Sequence, residues 1–307
     1  MIEALANVID TDVLVIGGGA GGLWAALSAK RHTPSAVVTL VDAHMVGRTG
    51  HAAFSNAWMA VVTPDDDLDA CARDIIEGNE WIAEQELVHR ILSLSYGQLL
   101  ELERLGLNYP KENGKFIRRP TRGLRLIKVL KPAGGGLEFC WALRRANEAE
   151  GVKIVERLFL TDLLTDDHGR VGGAIGLDGR TGQLFVLRAK ATVVATNSVT
   201  FRSGFVRDLT GTGPMMAYRA GATLTNAEFG YLRPGTPRFY FEGITYAIQD
   251  GAKFRNAQGK AFMEKYDPEW ADRADVHSIT KAMVMEKQAF KTPLYLDMSL
   301  IPDDRGS

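Results

Sequence analysis

The chain has 307 residues, 36 basic against 37 acidic side chains, and is 46% hydrophobic and 24% charged. That apolar content fills a core and excludes a disordered chain, and a net charge of −1 leaves no electrostatic footprint for nucleic acid. Cys71 and Cys140 supply neither a disulfide framework nor a complete zinc or iron–sulfur ligand set, no apolar run is long enough to span a membrane, and Met1–Asp12 carries no basic side chain and does not read as a signal peptide, so the expectation is a cytoplasmic enzyme.

Asp12–Ile16 reads D-V-L-V-I and predicts a short strand buried on both faces of a parallel sheet. Gly17 to Gly22 follows, then the helix-forming run L-W-A-A-L-S-A-K, then a second strand, Ala36–Val41, ending at Asp42. This is a G-x-G-x-x-G fingerprint of Gly17, Gly19 and Gly22 between a strand and a helix. Gly17 permits the tight turn, Gly19 the close approach of a pyrophosphate, and Gly22 the packing of helix on sheet. The helix start at Ala20 and Gly21 offers free N–H groups to phosphate oxygens. Asp42, 20 residues beyond Gly22, accepts hydrogen bonds from ribose hydroxyls and repels a 2′-phosphate. The pattern predicts a bound dinucleotide.

After Asp42 come small residues, A-H-M-V-G-R-T-G-H-A-A, which allow close approach to an extended ligand. Glu86–Leu105 places Leu87, Ile91, Leu94, Leu99, Leu102 and Leu105 near helical spacing and predicts a core-facing helix stopped at Gly106. Lys115–Lys131 holds Lys115, Arg118, Arg119, Arg122, Arg125, Lys128 and Lys131 with no acid between them. It reads either as a solvated loop or as a site for a phosphate or carboxylate. Leu137–Ala149 predicts a second helix. Val152–Leu164 reads as one strand, Val171–Leu177 and Gln183–Arg188 as two more, with turns at D-D-H-G-R and D-G-R-T-G. Ala191–Ala195 returns as a buried strand.

In this order the segments resemble the flavoproteins of the fumarate reductase/succinate dehydrogenase superfamily. Arg48-Thr49-Gly50 looks most like the R-S-G of adenylylsulfate reductase alpha subunits. Ala195-Thr196-Asn197-Ser198 stands where the family has A-T-G-G, and Thr210-Gly211-Thr212-Gly213 where it has T-G-D-G. Asn256–Pro268 resembles its N-x-x-G-x-x-F-M-x-x-Y stretch, and Pro293–Met298 its P-x-Y-x-D strand. The resemblance implies an α/β fold: a Rossmann-type FAD-binding domain with a β-meander and an inserted α+β substrate (capping) domain. Residues 1–220 would form the FAD-binding domain, with a helical insertion about 65–135, and 221–307 the start of the capping domain.

The resemblance also implies noncovalent FAD. Ala43, Arg48, Thr49, Gly50 and His51 would line its ribityl chain and isoalloxazine, with Ala195, Thr196, Asn197, Gly211, Thr212 and Gly213 opposite. His51 falls beside the position through which some members attach FAD. Arg233 stands roughly where dicarboxylate-reducing members carry a substrate-binding histidine, and Arg238 follows; either could clamp an anion. Only Lys281-Ala282 matches the family's R-D-x-x-x-R-[AS] proton-donor pattern, which speaks against a fumarate reductase and leaves His277 for acid–base work. The implied function is an FAD-dependent oxidoreductase acting on a small anionic substrate. Its electrons would pass to a partner, an iron–sulfur subunit for example, or to a soluble acceptor. The alternatives are an L-aspartate-oxidase-like enzyme and a non-catalytic flavin-binding subunit of a split enzyme. The family's later G-L-[YF]-A-A-G-E segment is absent, so a second chain supplying the C-terminal half is expected.

Overall fold

The computed structural model describes residues 6–196, 199, 210–230, 234–236, 243–290 and 293–302. In chain order its longer elements are β1 (Asn7–Ile16), α1 (Ala20–His32), β2 (Val38–Asp42), α2 (Leu68–Gly78), α3 (Gln85–Arg104), α4 (Gly135–Ala149), β3 (Lys153–Glu156), β4 (Leu158–Thr165), β5 (Val171–Asp178), β6 (Leu184–Val194), α5 (Thr212–Arg219), α6 (Ile244–Gln249), β7 (Lys253–Arg255), α7 (Val276–Phe290) and β8 (Tyr295–Asp297). They form two compact units. The first comprises Met1–Met59, Gln98–Ile117 and Leu130–Ala227; the second comprises Ala60–Gly97, Arg118–Val129 and Glu228–Ser307.

The first unit is built on a six-stranded sheet in the order β3-β2-β1-β6-β5-β4. β3, β2, β1 and β6 run parallel, and β6, β5 and β4 form an antiparallel meander. This is a mixed α/β fold whose parallel half has the βαβ start of a nucleotide-binding domain. β2 is flanked on both edges and covered on both faces, so Val38–Val41 are at most 1% exposed. Thr39 stays satisfied there because its hydroxyl donates to Thr11 Oγ1 (2.9 Å), and Thr11 donates to the Val37 carbonyl (2.8 Å). Leu14, Ile16, Val41, Leu158, Leu160, Ala174, Leu187 and Met216 make the core under the sheet. α4 is tied to α1 by the buried Asn147, whose amide donates to the Leu23 and Leu143 carbonyls at 2.9 Å each.

Four expectations need correction. β1 begins at Asn7 rather than Asp12, because Asn7–Asp10 pair with Phe185–Arg188; Asn7, Val8 and Asp10 are exposed, so no buried pattern marks them. Val152–Leu164 is not one strand. It breaks at Arg157, whose φ of 64° sends β3 along the parallel edge and β4 into the meander. Gln183–Arg188 and Ala191–Ala195 are one strand, β6: its first half pairs with β5 and β1 together, its second half with β1 alone. On α3 the buried line runs through Leu92, Leu99 and Leu102, whereas Leu87, Ile91 and Leu94 are at least 50% exposed.

The second unit has two apolar clusters. One gathers Val62, Cys71, Ala72, Leu92 and Ile127; the other gathers Ile244, Ile248, Phe254, Phe262, Met263, Ala274, Ile279 and Ala282. The Asn256–Tyr266 stretch closes on a buried carboxylate. Glu286 of α7 accepts from Asn256 Nδ2 (3.1 Å), Tyr266 Oη (2.8 Å) and Lys265 Nζ (3.2 Å). Desolvation pushes its carboxyl up, but these donors hold it below the ordinary range.

A second, partly buried carboxylate sets the base of the Lys115–Lys131 segment. Asp66 takes both guanidinium arms of Arg118, and also the backbone N–H (2.7 Å) and hydroxyl (2.8 Å) of Thr63. Desolvation opposes ionisation, yet these donors hold Asp66 at about 2. An unfolded aspartate titrates near ~3.9, so the pair contributes about 2 kcal/mol to the folded state. Because the folded value is the lower one, this contribution is whole above about pH 5 and is lost as the pH falls through ~4 toward 2. Asp66→Asn should therefore lower the unfolding free energy at pH 7 by about 2 kcal/mol and flatten its fall below pH 5. Chemical denaturation of both proteins across pH 3–7 checks this; parallel pH profiles would count against the pair.

Candidate functional site

The parallel strands end together, and the first unit opens there into a cleft of about 1480 Å³. Gly17 turns the chain off β1 at φ 111° and sits against the Ala195 carbonyl. A Cβ at Gly22 would lie 1.7 Å from the Gly17 oxygen, so only glycine lets α1 pack this closely. Gly19 is different. It caps α1 with φ −79°, ψ −171°, and a Cβ there meets no atom within 4 Å. The space in front of it belongs to the cleft. α1 has no side-chain cap and no acid in its first turn, so its leading N–H groups remain available to an anion.

Asp42 closes the same end. Its Oδ2 accepts from Gly18 N (2.6 Å) and its Oδ1 from His44 N (2.7 Å). One bond to each oxygen fixes the carboxylate and leaves lone pairs for ribose hydroxyls. It is the only acid among the described cleft-lining residues. Thr49 hooks back on Met45, donating to its carbonyl (2.8 Å) and accepting from its N–H (3.1 Å). Gly50 (φ 84°) then starts the one-turn helix that carries His51 into the cleft. Opposite lie Ala195, Thr196 and Thr210–Gly213. A Cβ on Gly213 would fall 1.6 Å from Thr196 Oγ1, and that buried hydroxyl has no hydrogen-bond partner among the described residues.

Residues 12–305 match the FAD binding domain family. The chain belongs to that family, and FAD is its cofactor. The fumarate reductase flavoprotein subunit of Mycobacterium tuberculosis is 30% identical over 267 residues, covering 83% of this chain and 45% of the relative. Among solved structures, E. coli quinol fumarate reductase aligns with a TM-score of 0.85 at 22% identity, over 92% of this chain and 52% of that one. Adenylylsulfate reductase of Archaeoglobus fulgidus aligns with a TM-score of 0.78 at 24% identity, over 95% and 49%. The chain thus falls in the fumarate reductase/succinate dehydrogenase flavoprotein superfamily, and it spans about half the length of the curated relatives it matches. The cleft fits the cofactor on its own geometry: an open glycine at a bare helix start and an acid with spare lone pairs.

Most of the residues singled out in the sequence line this cleft: Gly17, Gly19, Ala20, Gly21, Asp42, Ala43, Thr49, Gly50, His51, Ala195, Thr196, Gly211, Thr212 and Gly213. Gly22 lies behind it in the α1–β1 contact. Arg48 is exposed, its guanidinium 5.7 Å from the Trp141 ring centroid, and is not among the lining residues. Asn197, Arg233 and Arg238 lie outside the described residues. His277 is exposed in the first turn of α7, where Asp275 accepts from Ser278 N (2.9 Å) and Oγ (2.7 Å) as the cap. Sequence reasoning missed Arg157, Phe159 and Arg180, which also line the FAD cleft. Nothing in the local pattern marked them: Arg157 follows Glu156 in a mixed strand run, and Arg180 sits in a turn.

The second unit holds its own cleft, about 880 Å³, lined by Arg119, Arg122, Arg125 and Arg273 with Asp250 the one described acid. The basic segment is stitched in place rather than solvated throughout. Asp74 accepts the N–H groups of Arg125 (3.0 Å), Leu126 (2.8 Å) and Ile127 (3.2 Å), and Gln249 donates to the Pro120 carbonyl (2.8 Å). Arg125 pairs with Glu269 and lies 5.6 Å from the Trp270 ring centroid. The guanidinium groups of Arg119 and Arg273 have no partner among the described residues.

Gly19 and Gly22 separate binding from folding. Gly19→Val adds branches only to the cleft, so it should leave thermal unfolding within about a degree of the parent while weakening FAD binding at least ~100-fold, a loss of about 2.7 kcal/mol. Gly22→Ala should instead destabilise the chain itself. Flavin absorbance per chain and a thermal melt of each variant check this; full flavin occupancy in Gly19→Val would refute the placement of the pyrophosphate.

Proposed function

We propose that this chain is the FAD-binding part of an oxidoreductase whose substrate is a small organic anion. The observation that carries the reading is the pairing, within one chain, of the FAD cleft with a second cleft ringed by arginines. FAD, when bound, supplies the hydride or electron-transfer chemistry. The chain's own residues do the rest. Gly19 and the start of α1 seat the pyrophosphate, and Asp42 takes the ribose hydroxyls. His51, brought in by Gly50, packs beside the cofactor without a covalent bond. Arg119 and Arg273 offer flat guanidinium forks, suited to a carboxylate or phosphate, that no acid among the described residues occupies.

The further roles belong to the same proposal. Residues 1–220, with the insertion about 65–135, act as the FAD-binding domain, and 221–307 begin the substrate domain. Arg233 and Arg238 add anion contacts, and His277 carries the proton. Electrons leave to a partner protein, such as an iron–sulfur subunit, or to a soluble acceptor.

The test uses flavin reduced anaerobically in the purified protein and a panel of carboxylates and phosphates as oxidants, fumarate among them. Reoxidation by an anion is expected, and Arg119→Gln and Arg273→Gln should each raise its apparent KM about tenfold with flavin absorbance per chain unchanged. A KM indifferent to both would remove the arginine cleft from the mechanism. Acid precipitation should release all of the flavin into the supernatant; flavin pelleting with the chain would instead establish a covalent link.

A further inference from the structure

The FAD cleft continues beyond the residues that the dinucleotide fingerprint explains. In the parallel half of the sheet the strand ends lie in the order β1, β2, β3. A cofactor with its pyrophosphate at Gly19 and a ribose at Asp42 is laid from the β1 end to the β2 end. The next position outward is the end of β3. Glu156, its last residue, is the register partner of Asp42, and Arg157 follows directly.

Arg157 is held in a conformation that a residue with a Cβ disfavours. Its φ is 64°, in the left-handed region. Two backbone bonds maintain it. The Arg157 N–H donates to the His44 carbonyl (3.1 Å), and the Arg157 carbonyl accepts from Gly179 N (2.8 Å). His44 is the residue whose own N–H rests on Asp42, so the first bond ties Arg157 to the ribose end of the cleft. The second ties it to the β5–β6 turn and brings Arg180, the next residue, to the same wall. Asp178 Oδ1 fixes that turn by accepting from Arg180 N (2.9 Å) and Thr181 N (2.7 Å).

Both arginines line the cleft, and neither guanidinium has a hydrogen-bond or ion-pair partner among the described residues. Elsewhere in this unit Arg31, Arg144, Arg170, Arg188 and Arg219 are paired with carboxylates, whereas Arg48 and Arg145, which lie outside the cleft lining, have none among the described residues. Phe159, two residues on and 40% exposed, adds an apolar face to the same wall. Two unpaired planar cations and an aromatic ring suit a purine and its phosphate.

We propose that Arg157 and Arg180 clamp the adenosine-phosphate half of FAD and set the preference of this cleft for FAD over FMN. The proposal rests on the FAD assignment. The test is binding without turnover. Protein stripped of flavin is titrated with FAD, ADP and FMN by calorimetry, for the parent, Arg157→Asn, Arg180→Gln and the double variant. Asparagine is chosen at 157 because it tolerates the left-handed backbone. Each single variant is expected to weaken FAD and ADP about tenfold and to leave FMN, which lacks the adenosine half, unchanged. Unchanged ADP affinity, or an equal loss for FMN, would overturn the clamp. If Arg157→Asn fails to fold, Arg180→Gln decides alone, since its backbone is not strained. A parent chain that binds neither FAD nor ADP would overturn the cofactor assignment and the clamp with it.

Discussion

The approach of α1 to β1 is closer than any side chain permits, and the organisation of the first unit follows from it. The Gly17 oxygen occupies the place where a Cβ on residue 22 would stand. That contact aims the start of α1 along the ends of the parallel strands, with Gly19 bare toward the cleft. A helix start without a cap would ordinarily leave N–H groups unsatisfied. Here the missing cap leaves those groups open to an anion, since neither a side chain nor an acid competes for the position.

The loop after β2 is then fixed from outside the cleft. Arg144 of α4 donates to the Val46 carbonyl (2.8 Å) and to Glu156 (2.5 Å), and Glu156 accepts from Val46 N (3.0 Å). One guanidinium thus joins α4, the end of β3 and the residues that follow Asp42. Its Nε donates to Glu148 at 2.8 Å. Arg144 is mostly buried and each of these donors is satisfied, the condition under which a buried charge is tolerated. The result is a rigid wall on the ribose side, which is what a site must have to hold a long ligand in one register.

The second unit uses charge differently. Its carboxylates Asp66, partly buried, and Glu286, fully buried, each accept from several donors and hold loops together. Its cleft arginines are left with few acids nearby. The basic segment between residues 115 and 131 is therefore neither wholly solvated nor wholly a site. Arg118 is structural, Arg125 is engaged with Glu269 and Trp270, and Arg119 lines the cleft without a partner among the described residues.

The strand–glycine–helix–strand–acid order was legible in the chain because each of its steps depends on neighbours close in sequence: a turn, a helix start, a buried strand of apolar residues. The same holds for the hairpins of the meander, whose turn residues announce them. The length of β1 and the continuity of β6 were not legible, because both come from pairing between residues more than 170 positions apart. The break at Arg157 was hidden for a similar reason: an arginine between Glu156 and Leu158 reads as strand until His44 and Gly179 supply the bonds that bend it. On α3 the spacing reads as one line through Leu87, Ile91, Leu94, Leu99 and Leu102, and burial against distant partners chose Leu92, Leu99 and Leu102. By itself, then, the sequence determined the cofactor fingerprint and the family, which rest on local backbone geometry. Only the tertiary structure decided which cations remain unpaired in each cleft, because pairing depends on acids brought near by folding and not on position along the chain.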